Sequence, residues 1–183
     1  MKEPSVKNLL FGEAAIRDRV ATLAERIAAD HPGREITLIG VLRGSFMFLA
    51  DLVRVLHGHG IAAQIDFLML ESYGSATVSS GAVRMLKDFS IDVAGREVLL
   101  VDDILDTGRT LSFARRHILE RGAAACRTCV LLDKPARRAV PFEADYAGFQ
   151  VPDVFVVGYG LDYDGRCREW PYLAELKEND HGG

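Results

Sequence analysis

At 183 residues, with 49% apolar and 26% charged side chains, the chain has the length and composition of one domain, over 1–183, with a substantial core. Its formal net charge of −4 argues against a broad nucleic-acid-binding surface and leaves room for a local basic pocket that takes an anion. No apolar run approaches a membrane span, and the opening MKEPSVKNLL lacks the apolar core of a signal peptide, so the expectation is a cytoplasmic protein with neither membrane nor nucleic-acid partner.

The first element in chain order is an amphipathic helix, because Ile16, Val20, Leu23 and Ile27 fall at helical spacing; HPGRE ends it. ITLIGVL (36–42) is short, apolar and rich in β-branched residues, a buried strand. FMFLADLVRVLH (46–57) reads as a helix stopped by Gly58 and Gly60, with His57 and His59 suited to the negative end of its dipole. AQIDFLML (63–70) is a second strand. ESYGSATVSSGA (71–82) is small, polar and without apolar periodicity, a loop. VRMLKD is a candidate strand, EVLLVD (97–102) a buried one, and TLSFARRHILERG a helix closed by Gly122. CRTCVLLD, ADYAGFQV and DVFVVGYG supply three more strand candidates. Cys126 and Cys129 form a C-x-x-C, but no second Cys/His pair lies near it, and the segment reads as a buried strand with reduced cysteines.

Strands alternating with helices predict an α/β fold, a mainly parallel twisted sheet flanked by helices. Such a sheet binds ligands beyond the carboxyl ends of its strands. Arg43-Gly44, Asp102-Asp103 and Lys134 all fall at such ends. The stretch VLLVDDILDTGRTL (98–111) is the most informative. An apolar strand runs into Asp102 and Asp103, then Asp106 opens the turn DTGRT before a helix that begins near Thr110. Backbone N–H groups, threonine hydroxyls and a helix N-terminus make a cradle for a phosphate, and Gly108 lets the backbone turn closely around it. Adjacent carboxylates accept hydrogen bonds from sugar hydroxyls or hold a hydrated magnesium. Together they describe a phosphosugar. A helix cap with solvated acids accounts for only one or two of these residues. The aspartic-protease pattern of apolar residues before Asp-Thr-Gly needs two such aspartates in an all-β fold. Familiar nucleotide motifs are missing.

VLLVDDILDTGRTL resembles the phosphoribosyl-diphosphate (PRPP) motif of type I phosphoribosyltransferases. GVLRGSFMFLADL, LESYGSATVSSGAVRMLKD, LLDKPARR and VPDVFVVGYGLDYDGRCREWPYL resemble the hypoxanthine (hypoxanthine-guanine) phosphoribosyltransferases, in order and with matching spacing over about residues 36–173. Asp102 stands where many members have Glu, and Arg43 where many have Lys; both keep the charge.

The resemblance implies the type I fold with a small hood from the chain ends. It implies Mg²⁺-dependent transfer of 5-phosphoribosyl from PRPP to N9 of a 6-oxopurine, with IMP or GMP and pyrophosphate as products, and a homodimer or homotetramer. Asp102 and Asp103 would meet the ribose hydroxyls and a magnesium, Asp106 the purine N7 as general base, and Thr107, Gly108, Arg109 and Thr110 the 5′-phosphate. Arg43, Gly44 and Arg168 would meet pyrophosphate, the Arg43-Gly44 loop being one that the family often holds in a cis peptide, and Asp162 a second magnesium. Lys134 would donate to the purine O6, Phe155 would stack on the base, and Val156 and Leu161 would line its site; Ser72 and Tyr73 would belong to a lid. Read without the resemblance, Lys134 is an exposed lysine about as readily as a ligand, Phe155 is more a core residue, and Asp162 and Arg168 are ordinary loop charges. Two alternatives stay open: a phosphoribosyltransferase for another base, and an RNA-binding regulator on the same fold. Such regulators commonly carry a tyrosine where Asp106 stands.

Overall fold

The computed structural model describes residues 5–31, 35–72 and 83–177. Its elements are β1 (Val6–Phe11), α1 (Glu13–Asp30), β2 (Glu35–Leu42), α2 (Phe46–Gly58), β3 (Ala62–Ser72), β4 (Val83–Lys87), β5 (Glu97–Leu105), α3 (Arg109–Glu120), β6 (Ala125–Asp133), a 3-10 turn (Pro135–Arg137), β7 (Tyr146–Gln150), β8 (Val156–Val157) and β9 (Leu173–Leu176). The main sheet has the order β4-β3-β2-β5-β6-β7. All its pairings are parallel except β3 with β4.

The two faces of the central strands follow from side-chain alternation. Ile36 and Leu38 of β2 and Leu99 and Val101 of β5 pack with the apolar stripes of α1 and α2. Ile39, Val41, Val98 and Leu100 face the other way, against Leu111, Ala114 and Ile118 of α3. The stripe read from the sequence is the buried face of α1, since Ile16, Val20, Leu23 and Ile27 are each no more than 1% exposed. Burying each such side chain contributes roughly 1.5–3 kcal/mol. The same alternation disposes of the C-x-x-C: a spacing of three puts Cys126 and Cys129 on opposite faces of β6, in separate core clusters. Both thiols are free, and burial raises the pKa of each.

The chain ends meet in a second, antiparallel sheet of order β1-β9-β8. Lys7 and Asn8 of β1 hydrogen-bond to Glu175 of β9 at 2.8 and 2.7 Å, which fastens the two ends together. This sheet is the expected hood, although neither β1 nor β9 is visible in the sequence pattern. β1 is mostly exposed and shows no alternation, while β9 is four residues long and buried throughout.

Three elements differ from expectation. β5 runs three residues past Asp102, to Leu105, because β6 continues beside it and pairs Ile104 with Leu132 and Leu105 with Asp133. Glu71 and Ser72, expected in the loop, extend β3, where they pair with Arg84 and Val83. The expected strand over 153–160 shrinks to Val156–Val157 and joins the hood. Among the described residues, no helix is long and apolar enough to cross a membrane.

Candidate active site

The carboxyl ends of β2 and β5 open on a cleft of about 290 Å³. Its lining includes Arg43, Gly44, Asp102, Asp103, Asp106, Thr107, Gly108 and Thr110. Because β5 extends to Leu105, both members of the acid pair lie on the strand rather than after it. The Asp103 N–H donates to Asp102 Oδ1 at 2.9 Å, and the Ile104 N–H to Asp103 Oδ1 at 2.8 Å. Burial pushes the Asp102 carboxyl well above the usual carboxylate range, and the adjacent Asp103 charge pushes it further. Burial raises Asp103 as well, partly offset by hydrogen bonds from Asp102 and the backbone and by the charge of Arg168. Two adjacent acids out of water are costly unless a cation or donor group joins them.

Opposite them, the loop after β2 is shaped for contact. A Cβ on Gly44 would lie 1.6 Å from Asp103 Oδ2, so only glycine lets this loop lie against the carboxylate. The peptide between Leu42 and Arg43 is cis, one bond before the Arg43–Gly44 pair singled out in the sequence. Ser45 Oγ donates to the Val41 carbonyl at 2.6 Å and ties the loop back to its strand just before α2 starts. A third segment seals the other side: a Cβ on Gly160 would come within 2.1 Å of the Gly44 carbonyl. Arg168 Nη1 donates to the Gly160 carbonyl at 2.5 Å, and Nη2 lies 2.7 Å from Asp162 Oδ1. Asp162 Oδ2 also accepts from the Gly165 N–H at 2.7 Å. Asp162 and Arg168 are thus partners of each other, outside the lining of the cleft.

The turn from β5 into α3 is Asp106–Gly108, and the helix begins at Arg109. Its amino end faces the cleft, where helix N–H groups and the positive end of the dipole attract an anion. Gly108 has φ +81°, a left-handed conformation, and a Cβ there would meet Arg138, Val140 and Phe142 at 3.1–3.2 Å. Besides the close approach to a ligand expected from the sequence, this glycine is required by a left-handed backbone conformation and by packing against the segment behind the turn. Thr107 Oγ1 accepts from the Arg109 N–H at 3.4 Å, and the Thr107 carbonyl accepts from Ala139 and Val140 at 2.9 and 3.2 Å. Arg109 does not line the cleft.

Beyond Asp106 lies a mixed-charge group on separate elements. Lys134 is buried, only 8% exposed, and its Nζ donates to the Val154 carbonyl at 2.6 Å. Burial lowers its pKa, against the opposing charges of Asp106 and Asp153. Arg137 Nε stands 3.2 Å from Asp106 Oδ1. Phe155 is exposed at 42%, contrary to the core position that periodicity alone suggests, and meets the Tyr163 ring edge-on with centroids 6.0 Å apart. Val156 and Leu161 are buried in the core beneath. Ser72 ends β3 by pairing with Val83, and Tyr73 lies outside the described residues.

The sequence pattern drew attention to Lys134 in LLDKPARR but not to the two arginines after it. Arg138 Nη1 donates to the carbonyls of Leu105, at 3.0 Å, and of Asp106, while Nη2 pairs with Asp133. It clamps the turn between β5 and α3 from behind. The only available signal was a double arginine shortly after a strand end.

The phosphoribosyl transferase domain model matches residues 6–164. A hypoxanthine-guanine phosphoribosyltransferase of Streptococcus thermophilus is 40% identical over 97% of both chains. The chain belongs to the hypoxanthine-guanine phosphoribosyltransferase family. Its Streptococcus pneumoniae relative of the same description is 42% identical, again over 97% of both. Among solved structures, a Bacillus anthracis hypoxanthine-guanine phosphoribosyltransferase superposes with TM-score 0.88 at 41% identity, covering 94% of this chain and 100% of that one. A Trypanosoma cruzi hypoxanthine phosphoribosyl transferase superposes with TM-score 0.91 at 41% identity, covering 99% and 96%. This phosphoribosyltransferase is accordingly an enzyme of glycosyl transfer in purine salvage, built on the type I fold.

Proposed function

We propose that the enzyme transfers the 5-phosphoribosyl group of PRPP to N9 of hypoxanthine and guanine, giving IMP or GMP and pyrophosphate. The observation that carries this reading is the buried Asp102–Asp103 pair. It faces Gly44 on one side and leads into the Asp106–Gly108 turn at the amino end of α3 on the other. The arrangement suits a phosphosugar: ribose hydroxyls donate to the acid pair, and the 5′-phosphate sits on the turn formed by Thr107, Gly108, Arg109 and Thr110. Arg43, Gly44 and Arg168 take the pyrophosphate. Bond breaking at C1′ gives an oxocarbenium-like sugar, so the residues act by positioning and by stabilising charge. Asp106 accepts the purine N7 proton, Lys134 turns from the Val154 carbonyl to donate to O6, and Phe155 stacks on the base with Val156 and Leu161 beneath it. Ser72 and Tyr73 belong to a lid that limits access of water to the cation.

Magnesium fits this donor set. Two adjacent buried carboxylates, both pushed toward protonation, are relieved by a divalent cation. Among the described residues no group of three or more His, Cys, Asp or Glu side chains is placed to hold a metal. That accords with Mg²⁺, which is commonly bound by one or two carboxylates together with substrate oxygens and water. Asp102 and Asp103 would hold one ion and Asp162 a second, and the bound ions would neutralise the leaving pyrophosphate. We further assign the whole chain, 1–183, to one domain that works in the cytoplasm as a homodimer or homotetramer.

A base panel tests the reading: hypoxanthine, guanine, xanthine, adenine and uracil, each with PRPP and Mg²⁺, followed by nucleotide formation. IMP and GMP should form and should cease to form after exhaustive chelation. Nucleotide from adenine or uracil alone would assign the enzyme to another base, and full activity without divalent metal would remove the metal role.

A further inference from the structure

Arg137 holds no role in the scheme above, yet it touches the residue on which the scheme turns. It ends the 3-10 turn after β6, and its N–H donates to the Lys134 carbonyl at 3.1 Å. Its Nε lies 3.2 Å from Asp106 Oδ1, and its Nη1 lies 3.4 Å from Asp153 Oδ1. One guanidinium is shared between two carboxylates from different segments, and it forms a close bidentate pair with neither.

The Asp106 carboxyl is divided in environment. Oδ1 is sealed from solvent and accepts no hydrogen bond, since the Arg137 Nε–H is not aimed at it. The side chain as a whole still keeps 35% of its exposure and lines the cleft. A carboxylate oxygen removed from water without a donor is unfavourable. The cation 3.2 Å away offsets that by charge alone, without occupying a lone pair. We propose that Arg137 is a positioning residue for transfer to the purine: it holds Oδ1 from behind and so directs Oδ2 at the N7–H of the base. Asp153 anchors the guanidinium from its other end and stops it from swinging into the cleft. Lys134, on the same turn, donates to the carbonyl of Val154, the neighbour of Asp153. The O6 donor and the holder of the N7 acceptor thus share one support, which couples recognition of the two purine edges.

This inference rests on Asp106 being the N7 acceptor, and the two can fail separately. Steady-state kinetics on Arg137→Gln, Arg137→Lys, Asp153→Asn, Asp106→Asn and the Arg137→Gln/Asp106→Asn double variant distinguish them. Asp106→Asn tests the acceptor: the expected loss in kcat is roughly 10²–10⁴-fold with PRPP affinity retained, and near-normal turnover would end that reading. Arg137→Gln should lower kcat with hypoxanthine by about ten- to a hundredfold, the scale of a misplaced catalytic group, and leave the KM for PRPP unchanged. Arg137→Lys should recover part of the loss, because the charge returns. Asp153→Asn, which leaves the site residues intact, should lower kcat in the same direction but less. In the Asp106→Asn background, Arg137→Gln should cost nothing further. A large Asp106→Asn effect with normal kcat in both Arg137→Gln and Asp153→Asn would overturn the proposal. So would a loss from Arg137→Gln that persists undiminished beside Asp106→Asn, or one that falls equally on PRPP.

Discussion

Lys134 shows how one residue can be misjudged from its letter and explained by its surroundings. A lysine before a proline, after a strand, has an exposed position as its ordinary expectation. Here the side chain is buried although the Pro135–Arg137 turn after it is exposed, and the ammonium donates to the Val154 carbonyl. Burial lowers its pKa, and the nearby carboxylates of Asp106 and Asp153 counter that. Lys134→Ala should therefore weaken 6-oxopurine binding more than PRPP binding. A hydrogen bond from a charged donor is worth about 1.5–3 kcal/mol, roughly ten- to a hundredfold in affinity. Calorimetry with each ligand checks this, and equal losses would place Lys134 away from the base. Gly44 and Gly108 make the complementary point: the sequence shows a glycine, and only the neighbours show whether it is needed for contact with Asp103 or for a left-handed turn.

The unit of the site is β5, its turn and α3, and this unit is braced from outside itself. Arg138 reaches from the segment after β6 to two consecutive carbonyls of the turn and to the Asp133 carboxylate. Both side chains of that ion pair are mostly buried, at 18% and 15% exposure. Arg138→Ala should destabilise the protein by about 2–3 kcal/mol, because it strands Asp133 and two carbonyls that had a charged donor. It should also raise the KM for PRPP more than that for hypoxanthine, since the turn it clamps is the one proposed to cradle the 5′-phosphate. Chemical denaturation and steady-state kinetics read the two effects. Unchanged stability with an unchanged PRPP KM would show that the turn holds its shape unaided.

At the scale of the molecule, the acid pair sets fold stability against the ligand binding proposed for it. Asp102 has a folded pKa well above its ordinary 3.8 because it is buried beside Asp103. A raised acid contributes stability that is fully present below the ordinary value and is lost as pH rises through the folded value. At neutral pH its charge therefore works against folding in the absence of ligand. Asp102→Asn should raise the Tm of the metal-free protein above pH 7, gain little near pH 4, and weaken Mg²⁺–PRPP binding. Thermal melts at the two pH values, with and without both ligands, check it; an equal Tm gain at both pH values would mean that charge is not the cause. How much of this was legible beforehand divides by physical range. The alternation of β2 and β5, the stripe of α1 and the acids ahead of DTGRT are local patterns, and local patterns decide which face is buried and where a strand must end near polar groups. The type I fold and the purine chemistry were legible through motif resemblance over most of the chain. The extension of β5 to Leu105, the hood strand from exposed β1, the burial of Lys134, the exposure of Phe155 and the grip of Arg137 and Arg138 on the turn were not. Most depend on a partner distant in sequence: β6 beside β5, β9 beside β1, Val154 over Lys134, Asp106 and Asp153 around Arg137. Pairing across such separations leaves no periodicity in the chain, so only the packed tertiary structure could decide it.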